Sequence, residues 1–144
     1  MARRTIEKNG VEGLADWGSI RLYFGCRRSD QDFLYKDEWP EYAKELHGKF
    51  TMRCAFSREV FRPDGGKIYV QDLLWEDRDH VADSILNGKG YVYICGDAKS
   101  MSKAVEETLC RILGEAKGGS AEVEGAAEVK LLKERSRMLS DVWS

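Results

Sequence analysis

Histidine is scarce in this chain, with only His47 and His80, and none of its four cysteines (Cys26, Cys54, Cys95 and Cys110) belongs to a C-x-x-C pair. Zinc needs thiols or imidazoles grouped at ligand spacing, so no metal centre is expected. Long apolar runs are missing as well. The longest are strand-sized, such as Tyr91 to Cys95, far short of the roughly 20 residues that cross a bilayer. Nothing at the amino terminus reads as a signal peptide, which sets the expectation of a cytoplasmic protein without a membrane segment. In that reducing setting Cys54 and Cys110 are expected as buried free thiols. Charge of one sign is not in excess either. The net charge is −2, which gives no reason to expect a nucleic-acid partner or an anionic membrane surface.

What remains is a chain of 144 residues, 42% hydrophobic and 33% charged, the balance of one soluble globular domain with a real core. Four segments read as strands: Arg21 to Gly25, Phe50 to Phe56, Tyr91 to Cys95, and Met138 to Trp143. The third is continuously apolar, as expected of a strand covered on both faces. Helical periodicity lies between them. Trp39, Tyr42, Ala43 and Leu46 follow the i, i+3, i+4, i+7 rule, with Pro40 in the first turn, where proline is tolerated. Val70, Leu73, Leu74, Val81 and Ile85 suggest two short helices. A long helix is expected from about Lys99 to Leu113, and another from a Ser120 cap to about Arg135, led by Glu122 in its first turn. The first 17 residues read as a helical lead-in, interrupted by Gly10 and Gly13. Strands alternating with helices imply an α/β fold with a parallel sheet, its ligands at the carboxyl ends of the strands.

Four places there can carry chemistry. Ser57-Arg58-Glu59 ends the second strand, where an arginine and a hydroxyl suit a phosphomonoester, the feature that separates NADP from NAD. Lys67, Tyr69 and Gln71 recur at every second position. If that segment is extended they point the same way, offering an ammonium, a ring and an amide to a phosphate and a flat adenine. Cys95-Gly96-Asp97 ends the third strand just before the long helix. There glycine permits close approach of a ligand, while Asp97 can equally be an N-cap and Cys95 a core thiol. Finally, Trp143 stands next to the end of the sequence. Its ring either stacks on something flat or tucks under a helix.

These segments resemble the NADPH-binding domain of the diflavin reductases, most closely the microsomal NADPH–haemoprotein reductase type. The resemblance rests on Tyr23-Phe24-Gly25-Cys26-Arg27-Arg28-Ser29-Asp30 with Asp32-Phe33-Leu34-Tyr35, and on Ala55-Phe56-Ser57-Arg58-Glu59. It continues through Lys67-Ile68-Tyr69-Val70-Gln71, Tyr93-Ile94-Cys95-Gly96-Asp97-Ala98 and Asp141-Val142-Trp143-Ser144. The motifs keep the family's order over nearly all of residues 18–144. The resemblance implies a Rossmann-like, doubly wound parallel sheet of the ferredoxin–NADP reductase type. It implies that Ser57, Arg58, Lys67, Tyr69 and Gln71 bind the 2′-phosphate and adenine, and that Arg27 lies along the cofactor. Asp97, Ser100 and Met101 would touch it too. Cys95 and Asp141 would flank the nicotinamide and assist hydride transfer, and Trp143 would cover the flavin ring. The cofactors implied are NADPH for this chain, and FAD and FMN for a full-length parent at the cytosolic face of the endoplasmic reticulum. The implied partners are its FAD- and FMN-binding domains and, through them, a haemoprotein acceptor.

The chain departs from the family in three ways. Ser100 stands where these reductases usually carry asparagine. Glu59 to Gly66 is longer than usual, with Pro63 to Gly66 reading as a tight turn in a protruding loop. The family's first strand and glycine-rich pyrophosphate loop would precede Arg3, so residues 1–17 read as the remnant of the first helix and residues 18–144 as the NADP(H)-binding domain. On this reading the chain is a fragment that is not competent alone, and is marginally stable or paired with a second copy, because the missing strand belongs at the sheet centre. A non-catalytic NADP-binding or interaction module derived from such a reductase is the competing reading.

Overall fold

The computed structural model describes residues 2–143, which form two compact units, Met1–Val70 and Gln71–Ser144. The architecture is α/β, and both of its sheets are parallel.

The first unit opens with helix α1 (Ala2–Asn9). Gly10 stops it with a φ of 68°, a conformation that favours glycine, and a 3-10 turn over Val11–Leu14 follows. The lead-in is therefore helical, as its pattern suggests, but in two pieces. It is also part of the core: Ala2 and Leu14 cluster with Leu46 and Phe50, flanked by Ile6, Trp17, Trp39 and Tyr42. Strand β1 (Ile20–Cys26) pairs with β2 (Phe50–Phe56) in parallel, from Ile20 opposite Phe50 to Cys26 opposite Phe56. Helix α2 (Glu38–Glu45) makes the crossover. Trp39 anchors it, stacking on Phe50 with ring centroids 6.0 Å apart while its indole N–H donates to the Leu34 carbonyl at 2.9 Å. Phe33 packs against both Phe24 and Phe56, at 5.4 and 5.5 Å, and so pins the loop after β1 over the ends of the two strands. Beyond β2 the chain turns back, and an antiparallel bridge joins Phe61 to Lys67 around the Pro63–Gly66 turn.

Helix α3 (Val70–Glu76) is the first of the two short helices read from the sequence, and it starts before Gln71, so the segment is not extended through that residue. Leu73 and Leu74 are both buried, an adjacent pair that a helix can turn inward and an alternating strand cannot. In the second unit α4 (Arg78–Leu86) leads to β3 (Val92–Asp97), then α5 (Met101–Ala116). A π-turn (Ala121–Gly125) runs into α6 (Ala126–Glu134), and β4 (Met138–Trp143) closes the order. The Ser120 cap forms as expected, its hydroxyl accepting from the Val123 N–H at 3.1 Å. Glu122 lies in the first turn as expected, and Glu124 reaches back from it, accepting from the Ser120 N–H at 2.7 Å. α5 carries the core, since Leu109, Ile112 and Leu113 are fully buried. Two glycines let the π-turn approach it. A Cβ on Gly125 would lie 1.9 Å from the Cys110 carbonyl oxygen, and one on Gly114 would lie 2.4 Å from that of Ser120.

β3 and β4 pair in parallel, Val92 opposite Met138 and Asp97 opposite Trp143. Their inner face holds the buried Ile94 and Met138, against α5 and α6. The outer face is open: Tyr93 is 72% exposed and Trp143 60%. The continuous apolar reading of Tyr91 to Cys95 therefore overstated its burial. Two of its five residues are tyrosines, which tolerate water at the hydroxyl end. No helix among the described residues is long and apolar enough to cross a membrane.

Candidate functional site

The residues singled out from the sequence fall into two groups, one in each unit. In the first unit, the ends of β1 and β2 bring Arg27 and Arg58 together. The Arg58 N–H donates to the Arg27 carbonyl at 3.1 Å, and the Ser57 N–H donates to that of Cys26 at 3.0 Å. Both arginines are exposed and Ser57 is half-buried. Lys67 lies on the turned-back segment opposite Phe61, and Tyr69 is 45% exposed two residues further on. The side chains of Arg27, Arg58 and Lys67 hold no partner among the described residues, so three cations are uncommitted. Gln71 opens the second unit, in the first turn of α3, and leaves the alternation that would have aligned it with Lys67 and Tyr69.

Ser29 and Glu59, which carry no role of their own in the sequence reading, connect the same two loops. One carboxylate oxygen of Glu59 accepts from the Ser29 N–H at 2.9 Å and from its hydroxyl at 3.3 Å. The signal for this was a carboxylate directly beside the exposed Arg58, which would oppose any anion there unless it is engaged elsewhere.

In the second unit, parallel register sets Cys95 directly opposite Asp141. Both are exposed, on the same outer face as Trp143. The Trp143 carbonyl accepts from the Ala98 N–H at 2.8 Å, so the tryptophan backbone is fixed although its ring is not tucked under a helix. At the β3–α5 turn Gly96 has a φ of 142°, and the Met101 methyl lies over the glycine, 2.4 Å from where a Cβ would stand. Asp97 accepts from the Ser100 hydroxyl at 2.5 Å and from the Lys99 N–H at 3.0 Å. These two bonds, the Ser100 hydroxyl first, hold its carboxyl below the usual carboxylate range. Asp97 thus fastens the turn into α5, and Ser100 has already committed its proton. A shallow hollow of about 350 Å³ runs along α5 from this turn, lined by Ala98, Ser102, Lys103 and Cys110 among others.

Residues 1–107 match the family described as the oxidoreductase NAD-binding domain. The chain belongs to the oxidoreductase NAD-binding domain family. Members of this family are α/β, and the parallel strand pairs found here fit that fold. The whole chain is 86% identical over 145 residues to the NADPH–cytochrome P450 reductase of Phanerodontia chrysosporium, of which it covers 20%. It is 47% identical over 127 residues to the Saccharomyces cerevisiae enzyme of the same name, with 88% of this chain and 17% of that protein aligned. The Cavia porcellus reductase is 40% identical over 128 residues, again with 88% of this chain and 18% of that protein. This NAD-binding domain therefore spans about a fifth of the length of the relatives it matches.

Proposed function

We propose that the chain is the NADPH-binding part of a flavoprotein reductase of the NADPH–cytochrome P450 reductase kind. The observation that carries this reading is the junction of Arg27 and Arg58 at the carboxyl ends of β1 and β2, with Lys67 a further uncommitted cation on the turned-back segment. Three exposed cations and the Ser57 hydroxyl are a donor set that fits a phosphomonoester, and the planar guanidinium of Arg58 suits bidentate capture of the 2′-phosphate. Tyr69 offers its ring to the adenine; Gln71, to which the family likeness gives the same end of the cofactor, carries its amide in the first turn of α3 in the second unit. Arg27 lies along the dinucleotide in the first unit; in the second, considered by itself, Asp97, Ser100 and Met101 form the turn for which the family likeness implies a cofactor contact.

When bound, NADPH supplies a hydride to FAD, from which single electrons pass through FMN to a haem acceptor. Toward that transfer Cys95 provides a small polarisable contact. Asp141, its neighbour in register, provides a negative charge that stabilises positive charge developing on the nicotinamide. With a flavin bound by the parent, Trp143 would cover its ring and would have to leave it for the nicotinamide to approach. Its exposed ring on a pinned backbone suits that motion. The flavins belong to further domains of a longer parent or to a partner chain, and the parent works at the cytosolic face of the endoplasmic reticulum.

Calorimetric titration with NADP⁺ and NAD⁺ tests the assignment. Arg58→Ala is expected to weaken NADP⁺ binding by about 1.5–3 kcal/mol and to leave NAD⁺ little changed. Equal losses for both nucleotides would remove Arg58 from the 2′-phosphate.

A further inference from the structure

We propose that Glu59 is a positioning residue, which holds the 2′-phosphate clamp in shape by fastening the loop after β2 to the loop after β1. The inference rests on the reading of Ser57, Arg58 and Lys67 given above. Two main-chain bonds, from the Ser57 and Arg58 N–H groups to the Cys26 and Arg27 carbonyls, join the loops only where they leave the sheet. Past that point each loop turns away on its own. The loop after β1 closes on itself through the Asp32 N–H and the Arg28 carbonyl, at 3.1 Å, with Ser29 inside the turn. The loop after β2 closes through the Glu59 and Val60 N–H groups, which both donate to the Phe56 carbonyl. Among the described residues, the link between the two turns is the Glu59 carboxylate, which takes both donors of Ser29.

Chemistry explains why a carboxylate is placed beside the phosphate-binding arginine. Left loose, the Glu59 side chain would pair with Arg58 or repel the incoming dianion, and either would weaken the clamp. Fastened to Ser29, one of its oxygens is occupied by an N–H and a hydroxyl, and the Arg58 guanidinium stays uncommitted. The bond to the main-chain N–H is also charge-assisted, and stronger than a neutral pair. The residue preceding Glu59 is then aimed by a group that does not itself touch the ligand.

The test compares binding of 2′,5′-ADP, which carries the 2′-phosphate, with binding of 5′-AMP, which lacks it. The full chain is used, with Glu59→Ala, Glu59→Gln, Ser29→Ala and Arg58→Ala. Glu59→Ala is expected to weaken 2′,5′-ADP about fivefold to tenfold, the net worth of about one ordinary hydrogen bond as suits an indirect role, with 5′-AMP unchanged. Glu59→Gln keeps an accepting oxygen and should stay within about twofold of wild type, a rescue that a charge effect alone would not give. Ser29→Ala removes one of the two donors and should weaken 2′,5′-ADP in the same direction by a smaller factor. If Glu59→Ala fails to fold, Ser29→Ala and Glu59→Gln carry the test. Tighter 2′,5′-ADP binding in Glu59→Ala would mean that the carboxylate only repels the phosphate, and equal loss of both nucleotides would mean general damage. Either result overturns the proposal. A loss in Arg58→Ala with none in Glu59→Ala removes Glu59 alone. No 2′,5′-ADP binding by the wild-type chain, or no loss in Arg58→Ala, removes the site reading and this inference with it.

Discussion

Each of the four thiols meets a different environment, and they should react in an order that follows from it. Cys95 is exposed on the outer face of β3 and β4, while Cys26, Cys54 and Cys110 are half-buried. Burial pushes all three of those thiols up from their ordinary pKa. Asp32 adds to the effect at Cys26, and Glu106 adds to it at Cys110. Since the thiolate is the reacting form, iodoacetamide at neutral pH is expected to label Cys95 first, and mass spectrometry of peptides reads the order. Early labelling of Cys54 or Cys110 would contradict the burial described. Asp97 gives the opposite pH dependence. Its folded-state pKa is depressed, first by the Ser100 hydroxyl and then by the Lys99 N–H, so the charged form is favoured by folding. That contribution is present above the unfolded carboxylate value of about 4 and is lost as pH falls through the lower folded value. The stability difference between wild type and Asp97→Asn should therefore be clear in urea titrations at about pH 7, and should narrow at about pH 3.

At the scale of elements, the tightest junction is the one between α5 and the π-turn. A Cβ at Gly125 would meet the Cys110 main chain at 1.9 Å, an atom that cannot rotate away. Gly125→Ala is expected to lower stability by about 2–3 kcal/mol in denaturant titrations, as overpacking against a fixed backbone does. The helices themselves were legible in the sequence, because what stabilises them is a repeating apolar stripe. Met101, Ala104, Val105, Leu109, Ile112 and Leu113 announce α5 in that way, and the structure extends it to Ala116. The π-turn was not legible, since it depends on how closely two backbones pack. Gln71 was misplaced because alternation over three positions is too short a signal to outweigh the buried pair Leu73 and Leu74 that follows it. The two halves of the candidate site differ in the same way. Ser57-Arg58 sits in the loop directly after its strand, so it could be read locally. The bond from Ser29 to Glu59 joins residues 30 apart and depends on the register of β1 with β2.

At the scale of the whole molecule, the two units hold unequal cores. The fully buried side chains all belong to α5, with Val81, Ile85, Ile94, Val129, Leu132 and Met138 also buried in that unit, whereas the main cluster of the first rests on Ala2, Leu14, Leu46 and Phe50. Each sheet has two strands, an arrangement that needs helix packing for its stability. Native-state hydrogen exchange is therefore expected to protect the α5 amides longest and to release α1 and α2 first. Uniform protection along the chain would show that the difference in core size has no energetic weight.

The parallel pairing of β3 with β4 also has a kinetic meaning. Parallel neighbours cannot be joined by a tight hairpin, so Cys95 meets Asp141 only after α5, the π-turn and α6 have all been laid down between them. Closing such a non-local contact is slow compared with forming a helix. A nascent or partly opened chain therefore displays its reactive thiol without the carboxylate beside it. The pair exists only as long as this crossover stays closed, which makes the proximity of those two side chains a direct reporter of complete folding in this unit.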